Sequence, residues 1–211
     1  MKRKDILITG GAGYIGSHTV VELFKSGYRP IIVDNFSNSS IKNIEGIEQI
    51  IKDKVAFYKF DCTDINQMNQ LFKLENNIEA VIHFAAFKAV EESVREPKKY
   101  YDNNIGSLKI ILSMMNKYEL DNIVFSSSAC VYGIPDILPV SESAQFKKAE
   151  SPYGETKQLC EKLIDEVDLN SISLRYFNPV GSHDTCLIGD FSADKPNNLV
   201  PIICEVASGK R

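Results

Sequence analysis

Short apolar runs of mostly branched residues alternate along this chain with longer stretches in which apolar positions recur every three to four residues. The short runs, bounded by polar turns, predict strands over 5–9, 30–34, 55–60, 80–84, 122–126 and 171–176. The longer stretches predict helices over 14–26, 41–52, 65–73, 97–118, 152–167 and 200–208. The fifth of these opens at Ser151-Pro152, where serine can cap the helix and proline is tolerated in its first turn. Apolar strands alternating with helices predict an α/β fold: a doubly wound parallel sheet with right-handed crossovers and helices on both faces. Ligands of such sheets bind at the carboxyl ends of the strands, where the polar motifs of this chain fall. No internal repeat and no Pro/Gly/Ser linker divides the sequence, and the polar segment 181–198 reads equally as a binding loop or a surface connection.

Composition narrows the classes. With 211 residues, 44% hydrophobic and 25% charged, the chain can bury a core as one domain, or one domain with a small appendage. A net charge of -4 without a basic stripe argues against a nucleic-acid surface and for small-molecule partners. The five cysteines, Cys62, Cys130, Cys160, Cys186 and Cys204, are widely spaced and form no C-x-x-C pair, so neither a disulfide framework nor a zinc site is expected. His18, His83 and His183 share no ligand pattern and read as packing or surface residues, with no metal expected. No apolar stretch approaches the roughly 20 residues needed to span a bilayer, and the basic start does not lead into a cleavable signal, so no membrane role and a cytoplasmic location are expected.

The first chemistry-bearing motif is Gly11-Ala12-Gly13-Tyr14-Ile15-Gly16, directly after the first strand and opening the first helix. Glycine permits the tight turn, lets the backbone approach a pyrophosphate and allows close strand–helix packing, while the helix start offers positive potential. Asp34, ending the second strand, can accept hydrogen bonds from an adenosine ribose and would repel a 2′-phosphate. Asn35-Phe36-Ser37-Asn38 supplies no arginine to replace it, which favours NAD over NADP. Asp61-Cys62 follows the third strand and is placed to hold the adenine edge; Asp64 nearby reads equally as the cap of the next helix.

A second constellation lies later in the chain. Tyr153 and Lys157, four apart, share one helix face. A phenol with an ordinary pKa near 10 is a poor base, and the expectation is that the neighbouring ammonium favours its anion. Ser126-Ser127-Ser128-Ala129-Cys130-Val131-Tyr132-Gly133 closes the fifth strand, and its third serine, Ser128, can hydrogen-bond a substrate hydroxyl. Each motif alone has an ordinary structural explanation; together with the glycine-rich turn they favour catalysis.

These residues, with Thr9-Gly10, His83-Phe84-Ala85-Ala86, Leu174-Arg175-Tyr176-Phe177-Asn178-Pro179-Val180-Gly181 and Pro196-Asn197-Asn198-Leu199, resemble the UDP-glucose 4-epimerase family of extended short-chain dehydrogenases, over essentially the whole chain. The resemblance implies a Rossmann domain over 1–176 and the start of a substrate-binding region over 177–211. It implies an NAD site lined by Gly10, Gly13, Tyr14, Ile15, Gly16, Asp34, Asn35, Phe36, Ser37, Asn38, Ser39, Asp61, Cys62, Phe84, Ala85, Ala86, Lys88, Asn103, Ser126, Tyr153, Lys157 and Phe177. It further implies Tyr153 as base, Lys157 as its electrostatic partner and ribose ligand, Ser128 as the hydroxyl partner, and a UDP-sugar held by Ser128, Tyr153, Asn178, Asn198 and Leu199. The implied reaction is epimerisation at C4 of a UDP-hexose, as in galactose metabolism, through a 4-keto sugar that turns its other face to the cofactor.

Two departures stand out. Family members usually continue for well over a hundred residues past Ser208-Gly209-Lys210-Arg211, so a truncated chain with a half-built sugar pocket is expected, and its last strand should show an unpaired edge. Asn104-Ile105-Gly106-Ser107-Leu108 stands where the family more often has a Gly-Thr pair. Two alternatives remain: an inactive NAD-binding remnant, and a 4,6-dehydratase, whose usual acidic pair is missing from Ser128-Ala129-Cys130. A homodimer built on the helices over 97–118 and 152–167 is also compatible.

Overall fold

The first strand, β1 (Asp5–Thr9), is buried at every position, which only a central strand covered on both faces achieves. The computed structural model, which describes residues 3–191 and 198–211, supplies that cover. The strands β2 (Arg29–Val33), β3 (Ala56–Tyr58), β4 (Ile78–His83), β5 (Asn122–Ser128) and β6 (Asn170–Tyr176) join β1 in one parallel sheet of order β3-β2-β1-β4-β5-β6. The order reverses between β1 and β4, and that switch point opens a crevice at the strands' carboxyl ends.

Alternate residues of β1 feed two cores. Ile6 and Ile8 face Val20 and Val21 of α1 (Tyr14–Lys25) and Ile44 and Ile47 of α2 (Ile41–Ile51). Leu7 faces the other side, with Met68 and Leu71 of α3 (Ile65–Leu74) in the same cluster. Asp64 caps α3, accepting from the Asn66 and Gln67 amides at 2.8 and 3.2 Å, so the capping reading of this aspartate holds.

After β4 come α4 (Val90–Arg95) and α5 (Pro97–Tyr100), then a π-helical turn over Tyr101–Ile105, then α6 (Gly106–Lys117). The helix expected over 97–118 is thus found unbroken over 97–117, with a π-helical turn inside it. The widened turn falls where Asn104 turns inward: its amide accepts from Phe87 N–H at 2.8 Å and donates to the Phe87 carbonyl at 3.0 Å. The six-residue α4 was not anticipated, being too brief to show a helical period.

β5 runs to Ser128, two residues further than expected, because Ser126, Ser127 and Ser128 pair with Leu174, Arg175 and Tyr176 of β6. A 3₁₀ turn over Ala129–Tyr132 follows, then α7 (Pro152–Asp165), which Ser151 caps at the Gly154 amide (3.2 Å), and finally α8 (Leu199–Ala207). β6 forms the edge of the sheet among the described residues. Pro196 and Asn197 lie outside the described residues. No helix among the described residues is long and apolar enough to cross a membrane.

Candidate active site

The turn from β1 into α1 is built too tightly for side chains. A Cβ on Gly16 would lie 2.3 Å from the Gly10 carbonyl oxygen and 2.8 Å from the Gly11 Cα. Gly10 adopts φ +68°, and a Cβ there would approach the Ala85 nitrogen to 2.8 Å. Gly13 begins α1 without any side-chain cap, and no acidic residue occupies the first turn. Uncapped amides at a helix start favour an anion, so this cradle suits a pyrophosphate. Gly16→Ala is expected to weaken dinucleotide binding by at least about tenfold; equilibrium dialysis with NAD against the unmodified chain measures it, and unchanged binding would reject the cradle.

Ala12 is clamped from both sides. Its N–H donates to Asp34 Oδ2 at 3.0 Å, and its carbonyl accepts from Asn43 Nδ2 at 2.8 Å. Asp34, one residue past β2, also accepts from Phe36 N–H at 2.9 Å and Ser39 Oγ at 2.7 Å through Oδ1. Within the same loop the buried Asn38 Oδ1 has no hydrogen-bond partner, as expected of a site that takes a polar group of a ligand. Phe36 adopts φ +60° and stacks edge-on against Phe57, ring centroids 5.4 Å apart, while Ser37 donates its N–H to Asn35 Oδ1. Asn35 Nδ2 reaches Asp61 Oδ2 at 2.9 Å, joining the two loops expected at the adenine. Burial works against the Asp61 charge, but hydrogen bonds from Thr63 and Asn35 hold its carboxyl below the usual range. Cys62 is buried, which pushes its thiol well up, so it acts as wall.

The residues expected to be catalytic come together at the carboxyl end of β5. Tyr153, Ser128 and Lys157 are all buried, Lys157 to 3% exposure, and the Ser128 hydroxyl favours ionisation of the Tyr153 phenol while its Oγ accepts from Cys130 N–H at 3.2 Å. The Lys157 Nζ donates to the Ser126 carbonyl at 2.7 Å, lies 4.8 Å from the Phe125 ring centre and 5.9 Å from that of Tyr153. Burial brings Lys157 down to about 8, against the upward pull of Cys160 and Glu161. The expected lowering of Tyr153 by its lysine is corrected: burial raises the phenol, outweighing the Ser128 hydrogen bond.

The remaining expected residues divide. Tyr14, Ile15, Phe84, Ala85 and Ala86 are half-buried around the switch point, and Tyr14 donates its hydroxyl to the Gly181 carbonyl. Lys88 points to Asp190 at 3.7 Å, and Asn103 donates to Asn104 Oδ1 at 2.9 Å within the π turn. Phe177 is 72% exposed, and Asn178, Asn198 and Leu199 are exposed, so these four are not gathered into an enclosed pocket with Tyr153.

Several further buried polar groups pack around the site. His83 Nδ1 lies 2.7 Å from Thr9 Oγ1, which in turn accepts from Ala85 N–H at 3.3 Å, and Nε2 lies 3.5 Å from Ser107 Oγ. Burial, with the Lys157 charge nearby, lowers His83 from 6.5 to about 3. Its unfolded form therefore binds a proton that the fold refuses: stability is complete above pH 6.5 and is lost as pH falls toward 3. Between pH 7 and 4.5 this residue is expected to cost about 2–3 kcal/mol; urea titrations of the chain and of His83→Gln measure it, and parallel pH profiles would count against it. Glu161 is a second such group, pairing with Arg175 beneath Ser127, and Asn43 a third, with helical spacing its only signal in sequence.

Residues 6–210 match the NAD dependent epimerase/dehydratase family. The chain is 46% identical to a UDP-glucose 4-epimerase of Dictyostelium discoideum over 98% of its own length and 61% of that protein. A crystal structure of the UDP-glucose-4-epimerase from Stenotrophomonas maltophila with bound NAD and formylated UDP-arabinopyranose superposes with a TM-score of 0.94 at 42% identity, covering 99% of this chain and 63% of that one. The UDP-glucose 4-epimerase of Bifidobacterium longum in complex with NAD+ and UDP gives 0.93 at 43% identity, covering 98% and 63%. The chain thus spans about 61% of the length of the curated relatives it matches.

Proposed function

Because this chain belongs to the NAD dependent epimerase/dehydratase family, we propose that it binds NAD in the switch-point crevice and serves the C4 epimerisation of a UDP-hexose, UDP-glucose or UDP-galactose. The observation that carries this reading is the buried grouping of Tyr153, Ser128 and Lys157 at the carboxyl end of β5, beside a glycine cradle shaped for a pyrophosphate. Relatives of 46% identity bearing the name of that epimerase support the substrate class.

NAD, when bound, supplies a positively charged ring that takes up hydride reversibly. The chain's residues do the rest. The uncapped start of α1 would hold the pyrophosphate, Lys88 would line the same site, Asp34 would accept from the adenosine ribose, and Asn35, Asp61 and Cys62 would border the adenine. Tyr153 removes the proton of the sugar 4-hydroxyl and later returns it, while Ser128 holds the sugar oxygen and the tyrosine in line. Lys157 holds a positive charge near the phenol, and an alcohol oxidised on one face and reduced on the other leaves no net redox change. Asn178, Asn198 and Leu199 contact the UDP part of the substrate.

The test is direct: purify the 211-residue chain, release and quantify bound nucleotide with acid, and follow UDP-galactose conversion to UDP-glucose. Retained NAD with conversion is the expected result. A chain that binds no NAD overturns the reading, and NAD without conversion reduces it to dinucleotide binding alone.

A further inference from the structure

Beyond β6 the chain recrosses the molecule. Tyr176 ends β6 at the sheet edge, three strands from β1, a distance of roughly 14 Å at the usual strand spacing. Five residues later the Gly181 carbonyl already accepts from Tyr14 of the glycine-rich turn. The connection therefore spans the carboxyl ends of β5 and β4, over the switch-point crevice itself.

From there residues 181–190 lie along α1 and α2. Ser182, Asp184, Thr185 and Cys186 are exposed, and one apolar side chain fixes the segment: Ile188, 1% exposed, which joins the cluster of Val20, Val21, Ile44 and Ile47. Helix α2 is notched to receive it, since a Cβ on Gly46 would lie 2.1 Å from the Leu187 carbonyl oxygen. Asn43, 1% exposed, then ties the segment to the turn: Nδ2 donates both to Ala12 O (2.8 Å) and to Gly189 O (3.2 Å), and Oδ1 accepts from Gly189 N–H at 3.3 Å. On the other bank of the crevice Lys88 approaches Asp190 at 3.7 Å, a rim contact that screening weakens.

We propose that residues 181–190 are a latch over the dinucleotide, anchored by Ile188 and Asn43, whose opening sets the rate at which the cofactor leaves. The proposal rests on the NAD reading above. Apart from the Tyr14 hydrogen bond, a ring contact between His18 and His183 and the rim contact of Lys88, the segment is held by one buried apolar side chain and one asparagine, and it opens at lower cost than the sheet beneath it. A ligand shut in by such a segment dissociates no faster than the segment opens.

The experiment loads the chain with NADH and follows loss of its fluorescence after a chase with excess NAD. Ile188→Ala is expected to accelerate release at least about tenfold, Gly46→Ala to act in the same direction through the notch, and Cys186→Ser at the exposed tip to leave the rate unchanged. Hydrogen exchange without nucleotide should show the Gly189 amide opening faster in Ile188→Ala by a similar factor, with β1 amides as protected as before. If β1 protection falls, Ile188→Val reads the same ordering at a smaller factor. Faster Gly189 exchange with release unchanged within about twofold overturns the latch. A chain that holds no dinucleotide at all fails the parent reading instead.

Discussion

Tyr153→Phe is expected to lower UDP-galactose conversion by about 10²–10⁴-fold, while the purified chain retains NAD. The side chain, on the first turn of α7, is buried, so phenylalanine fills the same space and the fold should not register the change. What disappears is the hydroxyl beside Ser128 that is proposed to take the substrate proton. Burial raises the phenol above its ordinary value, and the neighbouring lysine, turned toward the Ser126 carbonyl, does not bring it down. The proton therefore leaves readily only with substrate and the cofactor's positive charge in place, and the rate should climb with pH as the tyrosine in the loaded site ionises. A loss of bound NAD in parallel with activity would mean that Tyr153 holds the cofactor instead. Turnover within about threefold of the parent would end its role as base.

The second large effect concerns stability. Glu161→Ala is expected to cost about 3–5 kcal/mol by leaving Arg175 without its counter-charge. Arg175, on β6, sends Nε to both Glu161 oxygens at 3.1 and 3.2 Å and Nη2 to Oε2 at 2.7 Å, and Nη1 to Tyr132 Oη at 3.1 Å and the Glu142 carbonyl at 2.9 Å. The Glu161 side chain is 5% exposed and also accepts from Ser127, one residue before Ser128. The pair thus rivets α7, the edge strand β6 and the serine turn together, and the guanidinium is held further still in its charged form by Glu161. In a chain of this size the melting temperature should fall on the order of 10 °C. Replacing both partners by methionine should cost less than either single change, because no charge is then buried alone. Single substitutions costing under about 1 kcal/mol would show the pair to be a surface contact.

Much of this was readable from sequence because it is local. The strands announce themselves through runs apolar on both faces, the glycine-rich turn through spacing, and Tyr153 and Lys157 through one helical turn. What escaped depends on partners far away in the chain. Asn43 is an unremarkable helix residue until Gly189, 146 positions on, is brought beside it. Asn104 widens a helix because Phe87 needs both its backbone groups met. The serines of β5 resemble a turn by composition, yet they are strand because β6 supplies their ladder. The direction of the Tyr153 shift was misjudged for the same reason: a four-residue spacing places a lysine nearby but says nothing of how deeply both are buried.

The double duty of Asp34 has a consequence for protein engineering. An acid at this position repels a 2′-phosphate, so a change of preference to the phosphorylated cofactor has to start by replacing it with a small or basic residue. Here the same carboxylate anchors the Ala12 amide, the Phe36 amide and the Ser39 hydroxyl. Exchanging it removes the negative charge and at once leaves the glycine-rich turn without its fastening. A successful design has to install a neutral acceptor for Ala12 before, or together with, the new positive charge.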